Sequence, residues 1–327
     1  MALITLGLAA ALLAVPAAAA PDADRVEIRP GSTVELASAA TGARLLVEKD
    51  VFVRALGPFD RSSRLKTDRD VSEAEYLAFV ARQTREWSAS EKAVLRPMLL
   101  AFREKTSALA MRMPPTVYLL KTTGLEEGMA AYCRGAAVVL PAKLVAGDPK
   151  QLQSVLFHEL FHIFSRHNPQ SRQALYRIVG FQTCPQIPYP EALASRRITN
   201  PDAPVLDAVI RVKSGAETVT ATPILFSKTE RYDAKQGGEF FESLVFRLLV
   251  VEESGGLFRA AADAAGQPRL LDPAALPDYR EQVGRNTDYL IHPEEILADN
   301  FVLLVLPSAG PPPSPRILEE LRAVLAK

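Results

Sequence analysis

Leu152-Gln153-Ser154-Val155-Leu156-Phe157-His158-Glu159-Leu160-Phe161-His162-Ile163-Phe164-Ser165 is the stretch whose reading decides the rest of the chain. His158 and His162 are four residues apart, so a helix stacks them one turn above the other on a single face. Asp148, followed by Pro149 and Gln151, predicts the start of that helix, and Asn168-Pro169 predicts its end. The residues flanking the imidazoles are uncharged, as a helix buried beneath a site requires. Two imidazoles so placed can share one zinc ion, and Glu159 can take a proton from a water that the ion acidifies. The plain alternative is a core helix whose histidines are satisfied by hydrogen bonds. Only four histidines occur in the chain, so this spacing around a glutamate is expected by chance about 0.003 times.

Two histidines leave a catalytic zinc one protein ligand short. The longer motif of the metzincin family would need glycine at 165 and histidine at 168, where the chain has Ser165 and Asn168, so the chain does not resemble that class. The other solution is a carboxylate from a later helix, and Glu295-Ile296-Leu297-Ala298-Asp299 offers one, with both acids on one helix face. Together the two motifs resemble the gluzincins, the thermolysin-like branch of the zincin metallopeptidases. The resemblance covers these two short motifs only. The 132 residues between His162 and Glu295 exceed the spacing of the best-known members, so a sizeable insertion must fold back between them.

What the resemblance implies is an α+β fold: a zincin-like catalytic domain with a mixed sheet, the His158–His162 helix and a second zinc-ligand helix, preceded by a smaller N-terminal β and helical region. It implies one zinc ion on His158, His162 and Glu295, with Asp299 holding a ligating imidazole by its other nitrogen. Glu294 is the main rival to Glu295, and Glu242 a weaker one. Glu159 would act as general base and then carry the proton to the leaving amine. A tyrosine or histidine usually stabilises the oxyanion. Tyr289 and His292 are candidates by nearness to Glu295, with Tyr232 and Tyr279 as others. The apolar strand expected at 136–140 would be the edge strand that pairs with a peptide substrate, or else an ordinary internal strand.

Compartment and partners follow from the rest of the composition. Residues 2–20 are uncharged and almost wholly apolar and end in small residues, which predicts an exported, signal-cleaved protein, secreted or periplasmic; an uncleaved anchor is the alternative. Lys plus Arg equals Asp plus Glu at 38 each, which favours neither nucleic acid nor an acidic membrane as partner. The partner expected is a peptide or protein substrate, with no stable membrane insertion after cleavage. The only cysteines, Cys133 and Cys184, form no CxxC pair. They would close a loop of about 50 residues worth about 4 kcal/mol if bonded, or remain two buried thiols. A functional alternative from another class is a non-catalytic envelope protein that keeps the scaffold for binding or assembly; retention of Glu159 argues for the enzyme, because a structural ion needs no general base.

In order, the chain divides into the leader 1–20, an N-terminal region 21–112, the catalytic domain 113–307 and a Pro-rich link with a C-terminal helix, 308–327. Short alternating segments over 25–54 predict strands. Ser72 with Glu75 and Ser88 with Glu91 predict two capped helices. Strands are expected at 116–120 and 136–140, and a further helix over 171–179. Residues 182–238 read as turn-rich with strand-like patches. The apolar run 239–251 fits a strand or a buried helix equally well.

Overall fold

The computed structural model describes residues 24–306 and 310–326, so the leader and its cleavage site lie outside the described residues. The fold is α+β, with one mixed sheet and one antiparallel sheet that nearly closes into a barrel.

The mixed sheet is built from β1 (Arg25–Arg29), β2 (Ser32–Leu36), β3 (Thr84–Arg85), β4 (Thr116–Thr122), β5 (Tyr132–Arg134) and β6 (Ala137–Pro141). Its spatial order is β1-β2-β4-β6-β5, with β3 also paired to β4. β4 is parallel to both β2 and β6, and β5 runs antiparallel to β6. Successive side chains point to opposite faces. Leu119 and Val138 therefore join the core on one side, while Leu120 and Val139 join the core on the other. The second face is covered by α1 (Ala39–Leu46), α2 (Val51–Ala55), α3 (Pro58–Arg64) and α4 (Glu73–Ala81), whose Leu46, Phe52, Val53, Tyr76 and Val80 are buried there. The first face is covered by α5 (Ala89–Lys105), α6 (Ala142–Val145) and α7 (Pro149–His167). In α7 the side chains of Leu152, Leu156, Phe157, Leu160, Phe161, Ile163 and Phe164 are all buried. At roughly 1.5–3 kcal/mol for each large apolar side chain, the packing of this helix on the sheet outweighs any local propensity.

Three expectations change here. The segments around Leu45, Val47, Val51 and Val53 are not strands but α1 and α2. Ser38 accepts from the Thr41 amide and Asp50 from the Val53 amide, and these caps turn the chain into helix. The boundary expected at residue 112 does not divide the sheet, since β2 pairs in parallel with β4 from Thr33↔Thr116 to Leu36↔Leu119. The strand near 136–140, now β6, lies inside the sheet; the edge is β5.

After α7 come α8 (Pro169–Ile178) and β7 (Phe181–Ile187), then α9 (Glu191–Ala194), β8 (Leu206–Ser214), β9 (Glu217–Ser227), β10 (Leu244–Ser254), β11 (Leu257–Ala260) and β12 (Leu270–Leu271). These strands form the second sheet, ordered β11-β10-β9-β8-β7, with β12 on β10 and β11 returning toward β7. Its inner face buries Ile187, Val209, Ile224, Phe226, Leu249 and Val251. The run 239–251 resolves into a short 3-10 turn at Phe240–Ser243 followed by strand, because β9 offers it a full antiparallel partner. The long insertion between the two motifs is thus mainly this sheet. α10 (Pro277–Val283) leads back to α11 (Pro293–Val305), which packs on α7, and α12 (Pro315–Leu325) seals the end through Ile317, Leu321 and Leu325. No helix among the described residues is long and apolar enough to cross a membrane.

Candidate metal centre

α7 starts where Asp148 accepts from the amides of Lys150 and Gln151, and its packing against α11 turns His158 and His162 toward that helix. α11 starts at His292, whose Nδ1 accepts from the Glu294 amide at 3.2 Å. The two helices bring together side chains more than 130 positions apart. His158 Nε2 lies 3.1 Å and His162 Nε2 3.4 Å from the same oxygen, Oε2 of Glu295. Ligands about 2.0–2.1 Å from a tetrahedral zinc stand about 3.3 Å from one another, so both separations are those of ligands around one ion.

The remaining atoms of these groups are held from behind. His158 Nδ1 donates to Asp299 Oδ1 at 2.9 Å, and His162 Nδ1 donates to Glu294 Oε1 at 3.2 Å. Each bond fixes the tautomer that leaves Nε2 as the free donor atom for a metal. Asn200 Nδ2 donates to Glu295 Oε1 at 2.6 Å, which leaves Oε2 facing the imidazoles. Glu294 also accepts from Ser165 Oγ (2.9 Å) and Tyr176 Oη (2.7 Å), with Arg172 at 3.6 Å. It is therefore an orienting group for His162, while Glu295 supplies the oxygen that converges with the imidazoles.

The electrostatics are those of a site prepared for positive charge. Burial works to raise the Glu294 pKa, but the His162 hydrogen bond, the His162 and Arg172 charges and Tyr176 outweigh it and bring it to about 2. Glu295 is likewise lowered, chiefly by His162 and His158 against its burial. Burial alone would lower His158, yet its bonds to Asp299 and Glu295 raise it to about 9. His162 Nε2 is buried and has no hydrogen-bond partner. A buried polar atom left so costs about 1–3 kcal/mol, and an ion shared with His158 and Glu295 would satisfy it. The residues present fit a zinc ion. Replacing Asp299 by Ala, at a position whose side chain is 34% exposed, should weaken zinc binding by about 10–100-fold. Competition against a chelator of known affinity measures it, and an unchanged affinity would remove Asp299 from the site.

Glu159 is 4% exposed and lies beside the imidazoles. Cys133 Sγ donates to its Oε2 at 3.1 Å, and one oxygen of Asp202 lies within 4.8 Å of both. Burial is the main cause that pushes the Glu159 carboxyl up, with the His162 and His158 charges opposing. His158, Glu159, Glu295 and Asp299 line a cavity of about 350 Å³ whose other walls include Phe240, Phe241, Leu244 and Tyr289. Tyr289 is 42% exposed, and desolvation of its hydroxyl together with Glu295, Asp202 and Glu159 holds its pKa well above the ordinary value, so it stays a donor.

Not every sequence candidate reaches this cavity. His292 is buried, caps α11 and packs edge-on against Tyr176 at 5.9 Å; burial lowers its pKa to about 4. Tyr279 donates to Leu290 O and Tyr232 to Gly238 O, both away from the ligands. Glu242 closes a turn with the Glu239 amide. Cys133 and Cys184 are both free thiols, and Cys133 is fully buried. Asn200, Asp202, Ser165 and Tyr176 were not singled out as site residues. Asn200 and Asp202 sit in a loop with no motif of its own, so nothing short of the fold marks them. Comparison with family models, with curated proteins and with solved structures gives no match for this chain.

Proposed function

We infer that the chain is a gluzincin-like zinc metallopeptidase that hydrolyses peptide bonds. One observation carries this reading: two imidazole Nε2 atoms and one Glu295 oxygen converge, each imidazole held by a carboxylate behind it, at a cavity that Glu159 also faces. A structural ion has no need of the fourth feature.

Zinc, when bound, supplies Lewis acidity that makes a water more acidic and a carbonyl more electrophilic. The protein's own groups do the rest. Asp299 and Glu294 hold the two imidazoles by Nδ1 and aim them through Nε2. Glu159 accepts a proton from the attacking water at its carboxylate. As the water oxygen bonds to the carbonyl carbon, the C–N bond breaks and Glu159 returns that proton to the leaving nitrogen. Burial raises this carboxyl, which makes its carboxylate a stronger base toward the attacking water than a solvated one. Tyr289 is the donor assigned to the developing oxyanion, because it lines the cavity and keeps its proton.

The test is metal content together with cleavage of a broad peptide pool. One zinc per chain is expected, with hydrolysis removed by a chelator and restored by zinc. Absence of stoichiometric metal, or a zinc-loaded protein that cleaves nothing in the pool, would overturn the reading.

A further inference from the structure

An extended peptide docks on a sheet by hydrogen bonding to free backbone groups along an exposed edge strand. In this protein the edge beside the candidate centre is β5, three residues long, and Tyr132, Cys133 and Arg134 are all buried. The Cys133 amide points away from β6, and Asp202 Oδ1 already takes it at 3.0 Å. Asp202 belongs to the segment 199–203, which runs between β5 and the metal ligands. That segment is fastened along its length. Thr199 donates through N and Oγ1 to Asp60, Asn200 donates to Glu295, and Arg166 spans from Gly135 O at 3.1 Å to Pro201 O and Asp202 O at 3.5 Å. At Cys133 the lane that an extended substrate would follow is therefore taken by the protein's own Asp202.

The cavity beside the ligands has Tyr132 of β5 and residues Thr199 to Asp202 in its wall, so it ends at this segment, and it is short. At about 350 Å³ it stands near the lower limit for small-molecule pockets. Such a volume is about 7 Å across, room for two or three residues of extended chain at about 3.4 Å each. Its wall closes where Phe240 and Phe241 lie on Gly128. That residue has φ +58, and a Cβ placed on it would stand 2.9 Å from the Phe241 ring, so the two loops touch with no channel between them.

We propose that this site takes short peptides and free chain ends and excludes the interior of a long extended chain. The proposal rests on the peptidase reading only for the nature of the ligand; it concerns binding, whatever the rate of hydrolysis.

Calorimetry on the full-length Glu159→Gln protein in the presence of zinc tests it without turnover. The probes are Ala-Phe-Ala with free ends and a twelve-residue peptide, acetylated and amidated, with Ala-Phe-Ala at its centre. The tripeptide is expected to bind at least about tenfold more tightly. Equal or tighter binding of the blocked peptide overturns the proposal, and so does binding of neither. Arg166→Ala, which loosens segment 199–203, should shrink the ratio between the two probes; an unchanged ratio overturns the role given to that segment. If short peptides bind with the expected preference while wild-type protein cleaves none, the hydrolytic reading fails and this one stands.

Discussion

Glu159→Gln should leave zinc bound and lower peptide hydrolysis by about 10²–10⁴-fold, the usual contribution of a positioned general base. The side chain keeps its size, and none of the three converging donor atoms is touched, so the metal site is unaltered. What disappears is the carboxylate that accepts a proton. Elemental analysis and initial rates on matched zinc-loaded samples separate the two effects. Hydrolysis within about tenfold of wild type would take the base role from Glu159. Asp202, within 4.8 Å of it, would be the next carboxylate to test.

The second large effect is on stability. Arg64, the last residue of α3, is wholly buried against Glu127, Thr199 and Phe240 of the cavity wall. Its Nη1 donates to Asp60 Oδ1 at 2.7 Å, its Nε and Nη2 hold both oxygens of Glu127, and Nη2 reaches Thr199 O at 3.1 Å. The guanidinium also stacks over Phe240 at 4.5 Å. Arg64→Met would leave Asp60 and Glu127 buried without a counter-charge, a situation that costs about 3–5 kcal/mol. Denaturant unfolding is the measurement, and a loss below about 1 kcal/mol, the worth of an exposed pair, would show that the network is relaxed by water. Because Thr199 precedes Asn200, the same substitution should also loosen the loop that holds Glu295.

How much of this was legible in the chain differs from residue to residue. His158, Glu159 and His162 are close in sequence, and their geometry follows from helical periodicity once Asp148 and Asn168 bound the helix. Asp299 pairs with His158 Nδ1, an arrangement legible from the four-residue spacing to Glu295 on one helix face. The resemblance favours Glu295 over its rival Glu294 through the spacing to Asp299, but helix geometry alone leaves both open, since adjacent residues differ by only about 100° in direction. The rotation of α11 against α7 decides it, through Ser165, Tyr176 and Arg172 gathering around Glu294. His292 was misplaced for a related reason. Nearness in sequence to Glu295 put it close to the site, whereas its ring turned back to cap its own helix.

The sequence by itself determined the local chemistry: two imidazoles and a carboxylate on one helix, a pair of acids on another, and the caps that start each. Those features depend on spacings of a few residues, which helical geometry converts into directions. Only the tertiary structure decided that β6 is interior and β5 the covered edge, that the strands between 181 and 271 make a nearly closed sheet, and that Asn200 and Asp202 stand against His158, His162 and Glu295. Strand order, helix rotation and the path of segment 199–203 are set by packing between residues far apart in the chain, and no local pattern carries that information.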